Sequence, residues 1–147
     1  MKTIHVVIAM LALTTVSCAQ DVPQNAVPSV VLNSFSAKYP NAEDIDWEKN
    51  GEIYSVDFEI GKTDHEAWLD GTGKVIKVET DIAKNELPSA VQNAISNNFK
   101  DCRIDDADKI EKDGKTFYSV ELDGHMGDRK IVFDSQGNEM TDTKFLY

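Results

Sequence analysis

Ile53–Glu59 reads IYSVDFE, and further along the chain Phe117–Asp123 reads FYSVELD. In the first, Tyr54, Val56 and Phe58 alternate with Ser55, Asp57 and Glu59; in the second, Tyr118, Val120 and Leu122 alternate with Ser119, Glu121 and Asp123. A period of two sends successive side chains to opposite faces of a β-strand, so each stretch predicts a strand with one apolar and one acidic face. The same strand is written twice, and so is its surroundings.

VPSVVLNSFSAKYPNA (27–42) matches LPSAVQNAISNNFKDC (87–102) without a gap at an offset of 60 residues, and WLDGTGK (68–74) matches VFDSQGN (132–138) at the offset of 64 that separates the two strands. WEKNG (47–51) lies over IEKDG (110–114) between them. A nearly constant offset over most of the chain marks an internal duplication. Each copy opens with a helix whose proline, Pro28 or Pro88, sits where the first turn needs no N–H donor. Val27, Val31, Phe35 and Tyr39, and likewise Leu87, Val91, Ile95 and Phe99, form one apolar stripe. Pro40 closes the first helix, and Lys100 and Asp101 the second.

Strands follow each helix. The Asn-Gly of EKNG and the Asp-Gly of EKDG are hairpin signals, and the next turns fall at DGTG and DSQG. Ile76 and Val78, and in the second copy Met140, mark a further strand, with KFLY (144–147) as a final edge. The predicted fold is α+β: a tandem duplication of a helix plus antiparallel strand unit. The two half-sheets join edge to edge into a single antiparallel sheet, with the helices on one face and the other face open, in two layers. Residues 25–82 and 83–147 are the two repeats of one joint globular domain, because one half alone buries too little apolar surface to offset its chain entropy.

The start, MKTIHVVIAMLALTTVSCAQ, has one basic residue, Lys2, an apolar run from Ile4 to Leu13, and small residues before Gln20. This is the pattern of an export leader, residues 1–19, and the apolar run is too short for a stable span. Two cleavages fit: after Ala19, or before Cys18 in the lipobox-like TVSC, whose thiol would then be lipidated. The predicted location is the periplasm or, as a lipoprotein, the outer membrane, with membrane contact only through Cys18.

The net charge of −11 repels nucleic acid and anionic lipid. Of the 2 cysteines, Cys18 is removed or lipidated, so Cys102 reads as a buried small hydrophobe and no disulfide framework exists. His65 and His125 fall at non-equivalent repeat positions without metal-ligand neighbours, so neither an enzyme nor a cofactor is predicted. Asp46, Glu48, Asn50, Gly51 and Asp57 have offsets like those of a calcium loop, but a strand and not a helix follows, and the second copy begins with Lys109; a hairpin turn is the better reading.

The order of LPSAV, EKDGKTFYSVEL and VFDSQGN, with their counterparts in the first copy, resembles the PepSY-like proteins of Bacteroidetes, which are grouped with β-lactamase-inhibitor-like folds. The resemblance covers about residues 25–147. It implies a tandem α+β fold, an exported location and no established activity. The chain lacks the disulfides of the β-lactamase inhibitor itself, which leaves an inhibitory role as an analogy of fold.

Strand alternation turns Ala67, Leu69, Ile131 and Phe133 inward and leaves Trp68, Val132, Ile53 and Phe117 on the open face beside Asp57, Glu59, Glu121 and Asp123. Large apolar groups among polar ones on an open sheet are the pattern of a partner anchor. The expected function is a non-catalytic envelope module that binds a protein or peptide through these eight residues. The alternative is a small-ligand or cation (Ca²⁺) carrier using the acids.

Overall fold

The structure, a computed structural model, describes residues 19–125 and 127–144. The expected leader, the fate of Cys18 and the last three residues of the expected KFLY edge lie outside the described residues. Strand β1 (Gln20–Asp21) is followed by a short 3-10 turn (Gln24–Ala26), helix α1 (Ser29–Lys38), and strands β2 (Glu43–Asn50), β3 (Ile53–Ile60), β4 (Thr63–Asp70) and β5 (Val75–Asp81). The order then repeats: a 3-10 turn (Lys84–Glu86), α2 (Ser89–Asn98), β6 (Cys102–Lys112), β7 (Lys115–Gly124) and β8 (Arg129–Asp134). Every strand pairs antiparallel with its sequence neighbour, in one eight-stranded sheet running in order from β1 to β8. The seam between halves is β5 against β6, with Lys77 opposite Lys112 and Asp81 opposite Asp108.

Both helices lie on one face of this sheet. The stripe Val27, Val31 and Phe35 is buried against Tyr54, Val56, Phe58, Ala67, Leu69 and Val78, and Leu87, Val91 and Ile95 are buried against Ala107, Val120, Leu122, Ile131 and Phe133. Phe35 meets Trp47 and Phe58 edge-on at 5.3 and 5.0 Å between ring centroids, the geometry that aromatic quadrupoles favour. Both helices span ten residues and end at the same place, although only the first is followed by proline. Tyr39 and Phe99 leave the helical region there at φ −125° and −129°, so the stop belongs to the shared aromatic corner rather than to Pro40.

The two DxxG turns show the duplication in detail. Asp70 Oδ1 accepts the backbone N–H of Thr72 and Lys74, and Asp134 Oδ1 accepts those of Gln136 and Asn138. Gly73 and Gly137 follow at φ +86° and +82°, each pressed against a helix: a Cβ would stand 2.8 Å from the Val30 carbonyl oxygen in the first and 2.5 Å from that of Ala90 in the second. Only glycine fits both the backbone conformation and the gap.

Two expectations need correction. WEKNG does not correspond to IEKDG. Trp47 pairs with Val56, and the residue that pairs with the equivalent Val120 is Ala107, not Ile110. The second hairpin is longer, with Lys112 opposite Lys115 at its tip, whereas the first closes at Asn50 opposite Ile53. The matched letters are offset from the matched positions by an odd number of residues, which sends Ile110 to the opposite face from Trp47. The second concerns the strand expected around Met140. Its first-half counterpart, β5, is a full strand held between β4 and β6; among the described residues of the second half the ladder beyond β8 is a single bridge, Phe133 to Glu139. The polar Thr141, Asp142 and Thr143 have little to bury at a sheet edge.

Candidate functional site

The face without helices is set by the register. In β3 and β4 it carries Ile53, Ser55, Asp57 and Glu59 opposite Asp70, Trp68, Glu66 and Asp64. β2 adds Asn50, Glu48 and Asp46, and β5 adds Lys77 and Glu79. Consecutive pairings Asp46–Asp57, Asp57–Glu66 and Glu66–Glu79 therefore line up four carboxylates straight across four adjacent strands. Directly opposed side chains on one sheet face are about 5 Å apart at Cβ, and like charges there repel. Among the described residues no lysine or arginine lies within ion-pair distance of Asp46, Asp57 or Glu66. Glu66 sits inside the row, and burial, then the Asp57 carboxylate, push its pKa up to about 7 against some relief from Lys77. Burial, then Glu48 and Asp46, raise Asp57. Asp108, across the seam, is pushed up to about 6 by burial and Glu79. Asp57, Glu66, Glu79 and Asp108 line a groove of about 410 Å³ with Asp44, Glu59, Asp64 and Asp81, and the groove reaches Phe58 and His65 of the helix-covered side.

One side-chain row away lies an apolar shelf. Ile53, Trp68 and Ile76 line a hollow of about 580 Å³ with Glu48, Asn50, Glu66 and Lys77. Ile76 is the extra residue of a bulge, since Trp68 pairs with Lys77 while Leu69 pairs with Val75. Lys77 is only 5% exposed. Its ammonium stands 3.3 Å from the centroid of the Trp68 ring and 3.3 Å from Glu79 Oε2, a cation held between an indole face and a carboxylate. Burial lowers its pKa and Glu79 opposes that.

The second half supplies the matching positions 64 residues on for β3 and β4 and, by pairing, for the rest. Where the first half has Asn50, Ile53 and Trp68, the second has Ile110, Phe117 and Val132, exposed 0%, 5% and 4%, with Met140 packed against them. Where the first half has Glu66 opposite Asp57, the second has Lys130 opposite Glu121. Among the described residues, one copy of this surface is closed and charge-balanced and the other is partly exposed and acidic.

All eight predicted site residues fall on the helix-free face by alternation, yet they do not form one site. Trp68 and Ile53 are half-buried on the shelf, and Asp57 and Glu59 line the acidic groove. Phe117 and Val132 are corrected from exposed anchors to members of the small closed cluster. Glu121 faces Asp106 and Lys130, and Asp123 accepts a hydrogen bond from Arg103 Nη2 at 2.9 Å. β3 and β7 are separated by three strands, about 19 Å between axes, so the two pairs of acids act apart. Sequence reasoning missed Glu66, Glu79, Lys77 and Asp108. The available signal was Gly61-Lys62, whose positive φ values of 57° and 78° make a tight hairpin turn. Counting back from that turn places Glu66 opposite Asp57.

Elsewhere, His65 stacks on Phe58 at 5.1 Å and shares a hydrogen bond of 3.1 Å with Thr80 on the helix-covered face. Cys102 is half-buried and unbridged. Among the described residues no three histidine, cysteine or carboxylate side chains converge as metal ligands would, and no helix is long and apolar enough to cross a membrane.

The family described as "Putative beta-lactamase-inhibitor-like, PepSY-like" matches the chain over residues 14–77 and again over 52–140. The chain belongs to this PepSY-like family. Its fold is shared by a DUF2874 family protein from Bacteroides uniformis, 22% identical, at a TM-score of 0.71 over 77% of this chain and 86% of that one. A BLIP-like protein from Bacteroides fragilis is 24% identical at a TM-score of 0.67, over 77% of this chain and 82% of that one. A protein described as a "putative periplasmic" one from Bacteroides eggerthii is 22% identical at 0.72, over 78% and 86%. No curated protein is significantly similar to the chain in sequence. The PepSY-like fold seen here, one open antiparallel sheet backed by two helices, is the one predicted from the repeat.

Proposed function

We propose that this PepSY-like chain is an exported, non-catalytic binding module of the cell envelope, which holds a protein or peptide against the open face of its first half. Trp68 and Ile53 are the apolar anchors, with Ile76 beside them, and Asp57, Glu59 and Glu66 supply polar complementarity. The observation that carries this reading is the shelf itself: a partly buried indole and two isoleucines, with Glu48 and Glu66 beside them, on the face that neither helix covers. Buried aromatic anchors surrounded by polar groups dominate the energetics of many protein interfaces. The inhibitor-like description of the family and the periplasmic description of one relative support the class of function and the location.

The test is capture of partners from the native envelope by the mature protein, with Trp68→Ala and Ile53→Ala in parallel. A specific partner retained by the wild type and lost from both variants is expected. Equal capture by all three would defeat the reading.

A further inference from the structure

The two halves form an internal comparison. At the position of the shelf, the second half is filled by Ile110, Phe117, Val132 and Met140, and at the position of Glu66 it carries Lys130. The fold is therefore compatible with a sealed, charge-balanced version of this surface. The first half departs from that version twice, at adjacent places, and each departure works against folding. It leaves an indole and two isoleucines only partly buried, and it sets Asp46, Asp57, Glu66 and Glu79 in register across four strands. Solubility does not require charges in register, since interspersed charges serve it as well.

Geometry links the two departures. Along β4, Glu66 and Trp68 are two residues apart on one face; along β3, so are Asp57 and Ser55, with Ile53 two further on. An extended segment laid along the strands presents its own side chains to the sheet with that same two-residue period, about 6.8 Å. One such side chain meets the carboxylate row while the next meets the shelf. The chain already holds a cation on this shelf, with the Lys77 ammonium against the Trp68 ring and Glu79.

We propose that the open face of the first half recognises an extended basic segment of a partner protein. An arginine or lysine of that segment meets Asp57 and Glu66, and an aliphatic residue two positions along seats on Ile53 and Trp68. This rests on the reading of the face as a docking surface and adds the chemistry of the occupant. Net charge of the whole chain favours the same partner by long-range attraction.

The test uses the mature protein and three short synthetic peptides with the repeat Xaa-Ser-Val-Ser, in which Xaa is arginine, glutamine or glutamate, so that this side chain and the valine lie two residues apart on one face of the extended peptide. Binding is followed by NMR through the indole N–H resonance of Trp68, with that of the buried Trp47 as internal control. The arginine peptide is expected to bind, to shift Trp68 and not Trp47, and to weaken as salt is raised; the glutamate peptide is expected not to bind. The double variant Asp57→Asn/Glu66→Gln removes repulsion and keeps side-chain shape, so it folds at least as well as the wild type, and it is expected to weaken the arginine peptide by about tenfold or more. A glutamine peptide that binds as tightly as the arginine peptide and shifts Trp68 would overturn the basic partner while leaving the docking surface standing. Unchanged affinity in the double variant, or no shift of Trp68 with any peptide, would overturn the inference as well; capture from the envelope tests the docking surface independently of peptide charge.

Discussion

Glu66→Gln is expected to stabilise this protein, and to do so only where Glu66 would be charged. The folded-state pKa of Glu66 is pushed up to about 7 from an ordinary 4.5, so between those values the folded chain holds a proton that the unfolded chain has released. A group that binds its proton more tightly when folded contributes a stability that declines as pH rises through the window. At 1.36 kcal/mol per pH unit the whole shift corresponds to about 3 kcal/mol. Glu66 is only half-buried, at the rim of an open groove, and solvent screening reduces this to about 1–2 kcal/mol. Glutamine keeps the shape and cannot ionise beside Asp57 and Glu79. Urea unfolding followed by circular dichroism should show the variant about 1–2 kcal/mol more stable than the wild type at pH 8, and less than half of that at pH 5. Asp108, pushed up to about 6, leaves some decline with pH in the variant as well. A variant less stable than the wild type at pH 8, or equally stabilised at both pH values, would refute the reasoning, because either result means that ionising Glu66, half-buried and beside Asp57, costs the folded chain nothing.

Three further outcomes follow from the packing. Gly137→Ala should cost about 2–4 kcal/mol in urea unfolding, because the new methyl meets the Ala90 carbonyl at 2.5 Å from a backbone at φ +82°; a loss under 1 kcal/mol would mean that the turn shifts freely off the helix. Leu69→Ala and Phe133→Ala, at equivalent positions in the two halves and both fully buried, should each remove about 2–5 kcal/mol. Each should lower one common transition, since the β5–β6 seam joins the halves into one sheet; two separate transitions in calorimetry would show that the halves melt independently. Trp68→Ala should cost about 1–2 kcal/mol, for the lost Lys77 contact and part of the ring's burial, since Lys77 keeps Glu79; a loss that small leaves the fold standing, so that any loss of partner capture reads binding and not folding.

Much of the fold was legible because the duplication repeats its own evidence. Tyr54, Val56 and Phe58 alternate as a strand must, and the copy at Tyr118, Val120 and Leu122 removes the chance that the alternation is accidental. The helix stripes were read for the same reason. The site was half legible: alternation put Trp68, Ile53, Asp57 and Glu59 on the open face, where they are. It did not show that Phe117 and Val132, on that same face, are closed over with Ile110, because parity says which way a side chain points and not what lies above it. Nor did it bring Glu66 and Glu79 to Asp57, which required the Gly61-Lys62 turn and the Trp68 bulge to be counted.

What the sequence by itself determined here are local and periodic properties: two helices with one apolar stripe each, strands with one apolar face, turns where aspartate and glycine demand them, and their repetition at a nearly constant offset. These follow from side-chain period and backbone preference, which act within a few residues. Register is a tertiary decision. The extension of the second hairpin moved Ile110 off the helix side and defeated a match of four identical or similar letters, because the odd offset between letters and positions exchanges the faces. The same pairing between strands, summed over β2 to β5, placed four carboxylates in line beside an open indole. Each of those residues alone reads as ordinary surface, and only their alignment across the sheet makes a site.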